Sequence, residues 1–71
     1  MRLDVQFIRE RLDRNALTGT EPSSVRALSL AMGGSMRFLY DTIHRGEASP
    51  RYVGRIAKAL KCRTKRLILE D

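Results

Sequence analysis

The chain has 71 residues, with 14 Lys and Arg against eight Asp and Glu, and its formal net charge is +6. A chain of this length supports one hydrophobic core, so we expect a single domain over residues 1–71, without the deep cleft that an enzyme needs. The single cysteine excludes an internal disulfide, and no apolar run reaches the length of a membrane span, which is consistent with a cytoplasmic protein.

Four stretches of the chain have apolar residues three or four positions apart, the spacing typical of amphipathic helices. We predict helices over about residues 4–15, 24–32, 36–44 and 50–61. The apolar residues expected on their buried faces are Val5, Ile8, Leu12, Val25, Leu28, Met32, Leu39, Ile43, Val53, Ile56, Ala57 and Leu60. A last short helical turn is expected from Arg63 or Thr64 onward, carrying the apolar residues 67–69.

Residues suited to helix ends flank these stretches. The side chains expected to cap the four helix N-termini are Asp4, Ser23 or Ser24, Ser35 and Ser49. Gly33 and Gly46 are expected to end the second and third helices, because glycine adopts the left-handed conformation without a Cβ clash. No stretch alternates with the period of a strand. We therefore predict an all-α fold, a compact orthogonal bundle of five short helices with no sheet.

The second and third predicted helices, within about residues 24–45, form the most informative pair. Ser29 is small enough to sit where two helices cross closely, and Gly33 supplies the turn between them. With Leu39 and Ile43 packed against the second helix, the third helix presents an outward face. That face carries Met36, Arg37, Tyr40, Asp41 and His44.

Outward residues at the N-terminal end of such a helix can enter the major groove of DNA. Arg37 is the best candidate to contact a base, because its guanidinium can bond to both O6 and N7 of guanine. Met36 and Tyr40 can contact a thymine methyl group, and the Tyr40 hydroxyl can also reach a phosphate. Asp41 can accept from a cytosine amino group, or it can pair with Arg37 or Arg45 and orient it.

The charge distribution supports a polyanionic partner. Residues 23–69 carry ten basic side chains against Asp41 and Glu47, and residues 51–66 carry seven basic side chains and no acidic one. A charge that merely keeps a solvated face soluble is the alternative explanation. Helix N-termini and nearby basic residues are favoured phosphate contacts. The candidates are Ser24, Arg26, Ser35, Arg45, Ser49 and Arg51. The charges beyond them are expected to lie off the DNA: Lys58, Lys61, Arg63, Lys65 and Arg66.

These motifs resemble the lambda-repressor-like (Cro-type) helix-turn-helix domains, most of all the branch found in phage repressors. The resemblance spans about residues 5–69. It depends on Ser-Leu-Ala-Met-Gly-Gly-Ser at residues 29–35, Ile-His-Arg-Gly at 43–46, Ser-Pro at 49–50 and Ile-Ala-Lys-Ala-Leu at 56–60. It implies a recognition helix that ends before Arg-Gly and a repressor that binds operator DNA.

Four features depart from that family's pattern. Gly34 stands where an aliphatic residue is usual, Thr42 replaces Ile or Leu, Lys61 replaces a glycine, and the connection between the first two helices is long. The register of the third helix depends on which glycine makes the turn. If Gly34 rather than Gly33 does so, the outward face rotates by about 100°.

The sequence thus predicts a sequence-specific transcriptional regulator of the prophage-repressor type, in the bacterial or phage nucleoid. We expect a homodimer on a palindromic operator. Residues 67–69 either form its self-complementary patch or cap the monomer core. The alternative is a protein-interaction or antitoxin-like module with a basic face. No enzyme activity, metal, cofactor or small-molecule ligand is implied.

Five further residues receive structural interpretations. Phe7 and Phe38 are expected in the core, and Cys62 is expected to be a small buried hydrophobe. His44 is interpreted as an ordinary surface residue at a helix end. For Tyr52, packing on the third helix and reaching a phosphate both remain open.

Overall fold

The computed structural model of the chain describes residues 1–69. Its α-helices are α1 (Val5–Thr18), α2 (Val25–Met32), α3 (Met36–Arg45) and α4 (Pro50–Leu60), and a 3₁₀ helix (Thr64–Leu67) follows them. Within residues 1–69 there is no strand, and the chain forms a compact all-helical globule with a radius of gyration of 11.0 Å. The predicted domain extends to residue 71, so its last two residues lie outside the described residues.

The predicted N-terminal caps are confirmed at all four α-helices. Asp4 Oδ1 accepts a hydrogen bond from the Phe7 N–H at 3.0 Å, and Ser24, rather than Ser23, caps α2. Ser35 and Ser49 cap α3 and α4 in the same way. Each cap satisfies a first-turn N–H that has no partner within its own helix, so these four residues decide where the helices begin.

Two helical predictions differ from the structure. The first helix was expected to end near residue 15, but α1 continues to Thr18 and ends where Gly19 adopts the left-handed conformation, with φ 71°. No apolar residue of this last turn reaches the core, because Leu17 is 88% exposed, so apolar spacing could not reveal the turn. The predicted fifth helix is the single 3₁₀ helix, Thr64–Leu67.

The hydrophobic core lies between the inward faces of the four α-helices. Nine of the twelve residues predicted for the buried faces are buried, and Val5, Val25 and Met32 are partly buried around them. The nine are Ile8, Leu12, Leu28, Leu39, Ile43, Val53, Ile56, Ala57 and Leu60. Burial of these apolar side chains is the main free-energy gain that holds α2 and α3 in place.

The N-terminal segment completes the core in a way that the sequence did not indicate. The Leu3 N–H donates to the Gly46 carbonyl at 2.8 Å, and the Asp4 N–H donates to the Leu67 carbonyl at 2.7 Å. Residues 1–4 therefore lie between the end of α3 and the end of the 3₁₀ helix. The segment buries Leu3, which is 2% exposed.

The three apolar residues proposed for a dimer patch, residues 67–69, differ in their burial. Leu67 is fully buried in the core, Ile68 is partly buried and forms an isolated β-bridge with Leu3, and only Leu69 is exposed. The 3₁₀ helix turns Leu67 inward against α1 and α4. The other interpretation, that these residues cap the monomer core, is therefore the one that describes Leu67.

Candidate nucleic-acid interface

The outward face of α3 carries the predicted base-contacting residues. Met36 and Tyr40 are 43% and 47% exposed, and Arg37, Asp41 and His44 are exposed as well. On the opposite side of the helix, Leu39, Thr42 and Ile43 are buried. The helix is thus fixed to the core along one side and presents the predicted set to solvent along the other.

The turn before α3 uses Gly33 as its left-handed residue. Gly33 has φ 70°, whereas Gly34 does not adopt a positive φ. The Gly33 N–H donates to the Leu30 carbonyl at 3.1 Å and the Gly34 N–H donates to the Ser29 carbonyl at 3.3 Å, which closes the end of α2. The register with Gly33 as the turn glycine is therefore the correct one, and the alternative based on Gly34 is wrong.

Side chains from two helices hold this corner. The Ser29 hydroxyl donates to the Gly34 carbonyl at 3.1 Å. Ser29 therefore links the turn to α2, in addition to being small enough for a close crossing of two helices. Arg55 Nη2, on α4, donates to the Met32 carbonyl at 2.8 Å. Arg55 was not among the residues singled out from the sequence. Nothing in the local pattern of α4 distinguishes it from the other basic residues there, because its partner lies 23 residues away.

Phe38 is not a core residue, contrary to the sequence-based expectation. Its ring is 50% exposed and packs edge-on against Tyr52, with 4.9 Å between the ring centroids and 86° between the ring planes. Tyr52 therefore packs on α3, which is the first of the two possibilities left open from the sequence. Burial raises the pKa of the Tyr52 hydroxyl, and the nearby Arg55 guanidinium acts in the opposite direction.

Thr42 is a buried polar residue on the core side of α3. Its side chain is 1% exposed, and Oγ1 has no hydrogen-bond partner among the described residues. A buried hydroxyl without a partner costs free energy. Leu39 and Ile43 therefore provide the favourable anchoring of α3, and Thr42 opposes it.

The polar residues of the exposed α3 face have no side-chain partner in the part of the chain that the structure describes. Within residues 1–69, the side chains of Arg37, Tyr40 and Asp41 form no hydrogen bond or ion pair. The proposed pairing of Asp41 with Arg37 or Arg45 is therefore not present in this structure. All three side chains are available to an external ligand.

The six predicted phosphate contacts are all exposed. They are Ser24, Arg26, Ser35, Arg45, Ser49 and Arg51. Each of the three serines accepts the capping hydrogen bond with its hydroxyl oxygen, which leaves the hydroxyl proton free to be donated to a phosphate. The structure places these serines at the N-termini of α2, α3 and α4, where unpaired N–H groups and the helix dipole favour an anion.

Other kinds of site have less support in the described part of the chain. No group of three or more His, Cys, Asp or Glu side chains within residues 1–69 is arranged to hold a metal ion. None of the helices there combines the length and apolar character needed to cross a bilayer.

Cys62, expected to be a small buried hydrophobe, is partly buried in the structure. Burial raises the pKa of its thiol, and the nearby Arg11 and Arg66 act in the opposite direction.

Comparison with known proteins gives no relative from which a function can be transferred. No protein-family model, no curated protein and no solved structure matches this chain. The functional argument therefore depends on the residues and geometry of the chain itself.

Proposed function

We propose that α2, the Gly33 turn and α3 form a helix-turn-helix that binds double-stranded DNA. In this proposal α3 enters the major groove, and Met36, Arg37, Tyr40 and Asp41 contact base edges. The B-DNA major groove, about 12 Å wide, admits one α-helix with its side chains.

The observation that carries the proposal is the contrast between the two sides of α3. One side is anchored by the buried Leu39 and Ile43, while Arg37, Tyr40 and Asp41 on the other side have no partner among the described residues. A helix anchored to the core loses little backbone freedom on binding, and its unpartnered polar side chains can bond to base edges without first breaking internal contacts. The exposed Met36 supplies an apolar group suited to a thymine methyl.

Phosphate contacts orient the domain in this proposal. Ser24 with Arg26, and Ser49 with Arg51, offer a capped helix N-terminus beside an exposed guanidinium on either side of α3 in the chain. At α3 itself, the N-terminus capped by Ser35 and the exposed Arg45 lie at opposite ends of the helix and offer two separate phosphate contacts. Such contacts fix the register of a protein on the duplex but carry no sequence information.

The biological role that fits this interface is transcriptional regulation, as a repressor of the prophage type. A single domain of this size covers few base pairs, so we propose that two copies bind a palindromic operator. Since Leu67 belongs to the core, the dimer interface has to be built from other exposed residues. Sequence resemblance to phage repressors supports this role, and location in the nucleoid would follow from it.

A protein-interaction module is the second candidate, and the exposed apolar side chains favour it. Leu30 on α2 is 73% exposed and Phe38 on α3 is 50% exposed. Neither is needed for phosphate or base contacts in the first proposal. A partner protein would cover such residues by the hydrophobic effect, with weak dependence on salt.

Selection of duplexes from a random pool by the purified protein tests both candidates. We expect enrichment of one motif with two-fold symmetry, and binding to it, followed by fluorescence anisotropy, should weaken steeply as salt increases. A pool that stays random, together with no association to any duplex at low salt, would rule out the helix-turn-helix function. Symmetric enrichment with a half-site spacing of about one helical turn supports the dimer.

A further inference from the structure

A second basic surface lies away from α3, in a groove between α1 and the 3₁₀ helix. The groove has a volume of about 520 Å³, which falls in the range of small-ligand sites. We call it the basic groove. Its lining residues are Asp4, Phe7, Glu10, Arg11, Arg14, Lys65, Arg66 and Ile68. The 3₁₀ helix packs on α1 and α4, whereas α3 packs on α2, so the basic groove and the α3 face belong to different parts of the fold.

The Phe7 ring contacts two of the four cations of the groove. The Arg66 guanidinium lies 5.2 Å and the Arg11 guanidinium 5.5 Å from the centroid of its ring. Phe7 is therefore only partly buried and supports two arginines, in contrast to the core position expected from the sequence. Cation–π contact holds each guanidinium in place, which lowers the entropy that it loses when it binds an anion.

The two acidic residues of the groove, Asp4 and Glu10, form no ion pair with its cations among residues 1–69. Asp4 Oδ1 accepts from the Phe7 N–H at 3.0 Å as the cap of α1, and Glu10 Oε1 accepts from Gln6 Nε2 at 3.0 Å. Within residues 1–69, no carboxylate forms an ion pair with Arg11, Arg14, Lys65 or Arg66. Four cations and two carboxylates thus line one groove, which leaves a net positive charge among the described lining residues and no ion pair to hold its cations.

We propose that the basic groove binds a small phosphorylated ligand, whose phosphate oxygens bridge the guanidiniums of Arg11 and Arg66. Arginine forks match phosphate oxygens in two parallel hydrogen bonds, and Lys65 and Arg14 add charge at the sides. Burial raises the pKa of the neighbouring Cys62 thiol, and both guanidiniums act in the opposite direction, which is consistent with their nearness to one another. A ligand with two linked phosphates offers acceptor oxygens to more than one of the four cations that line the groove.

The proposal is independent of DNA binding by α3, and the experiment uses the protein without DNA. We would titrate ¹⁵N-labelled protein with sodium pyrophosphate at constant ionic strength and follow the amide signals by NMR. We expect saturable shifts at the amides of Arg11, Lys65 and Arg66, with much smaller shifts in α3. Sodium chloride and sodium sulfate are the comparison salts, and neither should saturate these signals at the same concentrations.

The variant K65Q/R66Q removes two groove cations, and its matched control R9Q/K58Q removes one arginine and one lysine that do not line the groove. All four side chains are exposed, so the amide spectra should show that both variants remain folded. We expect K65Q/R66Q to bind pyrophosphate at least about tenfold more weakly than the parent protein, and the control to bind within about twofold of it.

Equal losses of affinity in the two variants, or no saturable shift in the parent protein, would overturn the proposal. In a separate titration with a short DNA duplex, groove signals that respond to the duplex but not to pyrophosphate would also overturn it.

Discussion

The Arg55 guanidinium of α4 donates a hydrogen bond to the Met32 carbonyl at the end of α2, across 2.8 Å. The last carbonyls of a helix have no partner within that helix, so this bond satisfies one that would otherwise depend on water. The same guanidinium lies over the Tyr52 ring at 5.9 Å. Arg55 thus ties the corner before α3 to the helix that follows it.

Replacement of Arg55 should destabilise this corner. We expect Arg55→Ala to lower the free energy of unfolding by about 1–2 kcal/mol, because it removes the bond to Met32 and the contact with Tyr52. Urea denaturation measures the change. The matched control is Arg51→Ala, an exposed arginine of the same helix, which should change the stability by about 0.5 kcal/mol or less. Similar losses in both variants would show that the Arg55 contacts do not contribute to stability.

Thr42 offers a stabilising substitution. Thr42→Val replaces a buried hydroxyl that has no partner with a methyl group of similar shape, so the free energy of unfolding should rise by about 1 kcal/mol. For a domain of this size, such a gain raises Tm by about 4–8 °C in a thermal melt. Thr64→Val, at an exposed position, is the control and should leave Tm almost unchanged. A lower Tm for Thr42→Val would contradict the view that the buried hydroxyl is unpartnered and destabilising.

Two left-handed positions should respond in opposite directions to substitution. Lys61 ends α4 with φ 58°, where glycine would be relaxed, so Lys61→Gly should stabilise the protein by about 0.5–1 kcal/mol. Gly33→Ala should destabilise it by about 1 kcal/mol, because Gly33 has φ 70°. No heavy atom lies within 4 Å of a Cβ built at Gly33, so the loss would come from the backbone alone. Denaturant midpoints that move in the same direction would contradict this account.

The proposed DNA interface predicts two distinct kinds of mutant. Arg37→Ala should weaken binding to the selected operator by about 1–3 kcal/mol and relax the preference at one base position. Arg26→Ala, at a proposed phosphate contact, should weaken binding to operator and random duplex alike and reduce the salt dependence. Anisotropy titrations with both duplexes distinguish the two effects. Operator preference unchanged by Arg37→Ala would exclude this residue as a base reader.

Local features of the sequence were enough to predict the helices and their faces. Asp4, Ser24, Ser35 and Ser49 lie at the starts of the helices, because a capping side chain acts on an N–H only three positions along the chain. Burial of the predicted face of α4 was equally predictable, since apolar periodicity directly encodes which side of a helix meets the core. The sequence also determined the net charge, and it indicated every exposed residue of the predicted outward α3 face, although not Phe38 beside it.

Tertiary structure decided what depends on partners that are distant in sequence. It placed Arg55 against Met32, buried Leu3 between the end of α3 and the 3₁₀ helix, and gathered Arg11 and Arg66 around Phe7. It also left Phe38 half exposed beside Tyr52. Helical periodicity predicts which residues share a face, but only the packing of several helices determines whether a ring at the edge of that face is covered by the core, by another ring or by an arginine.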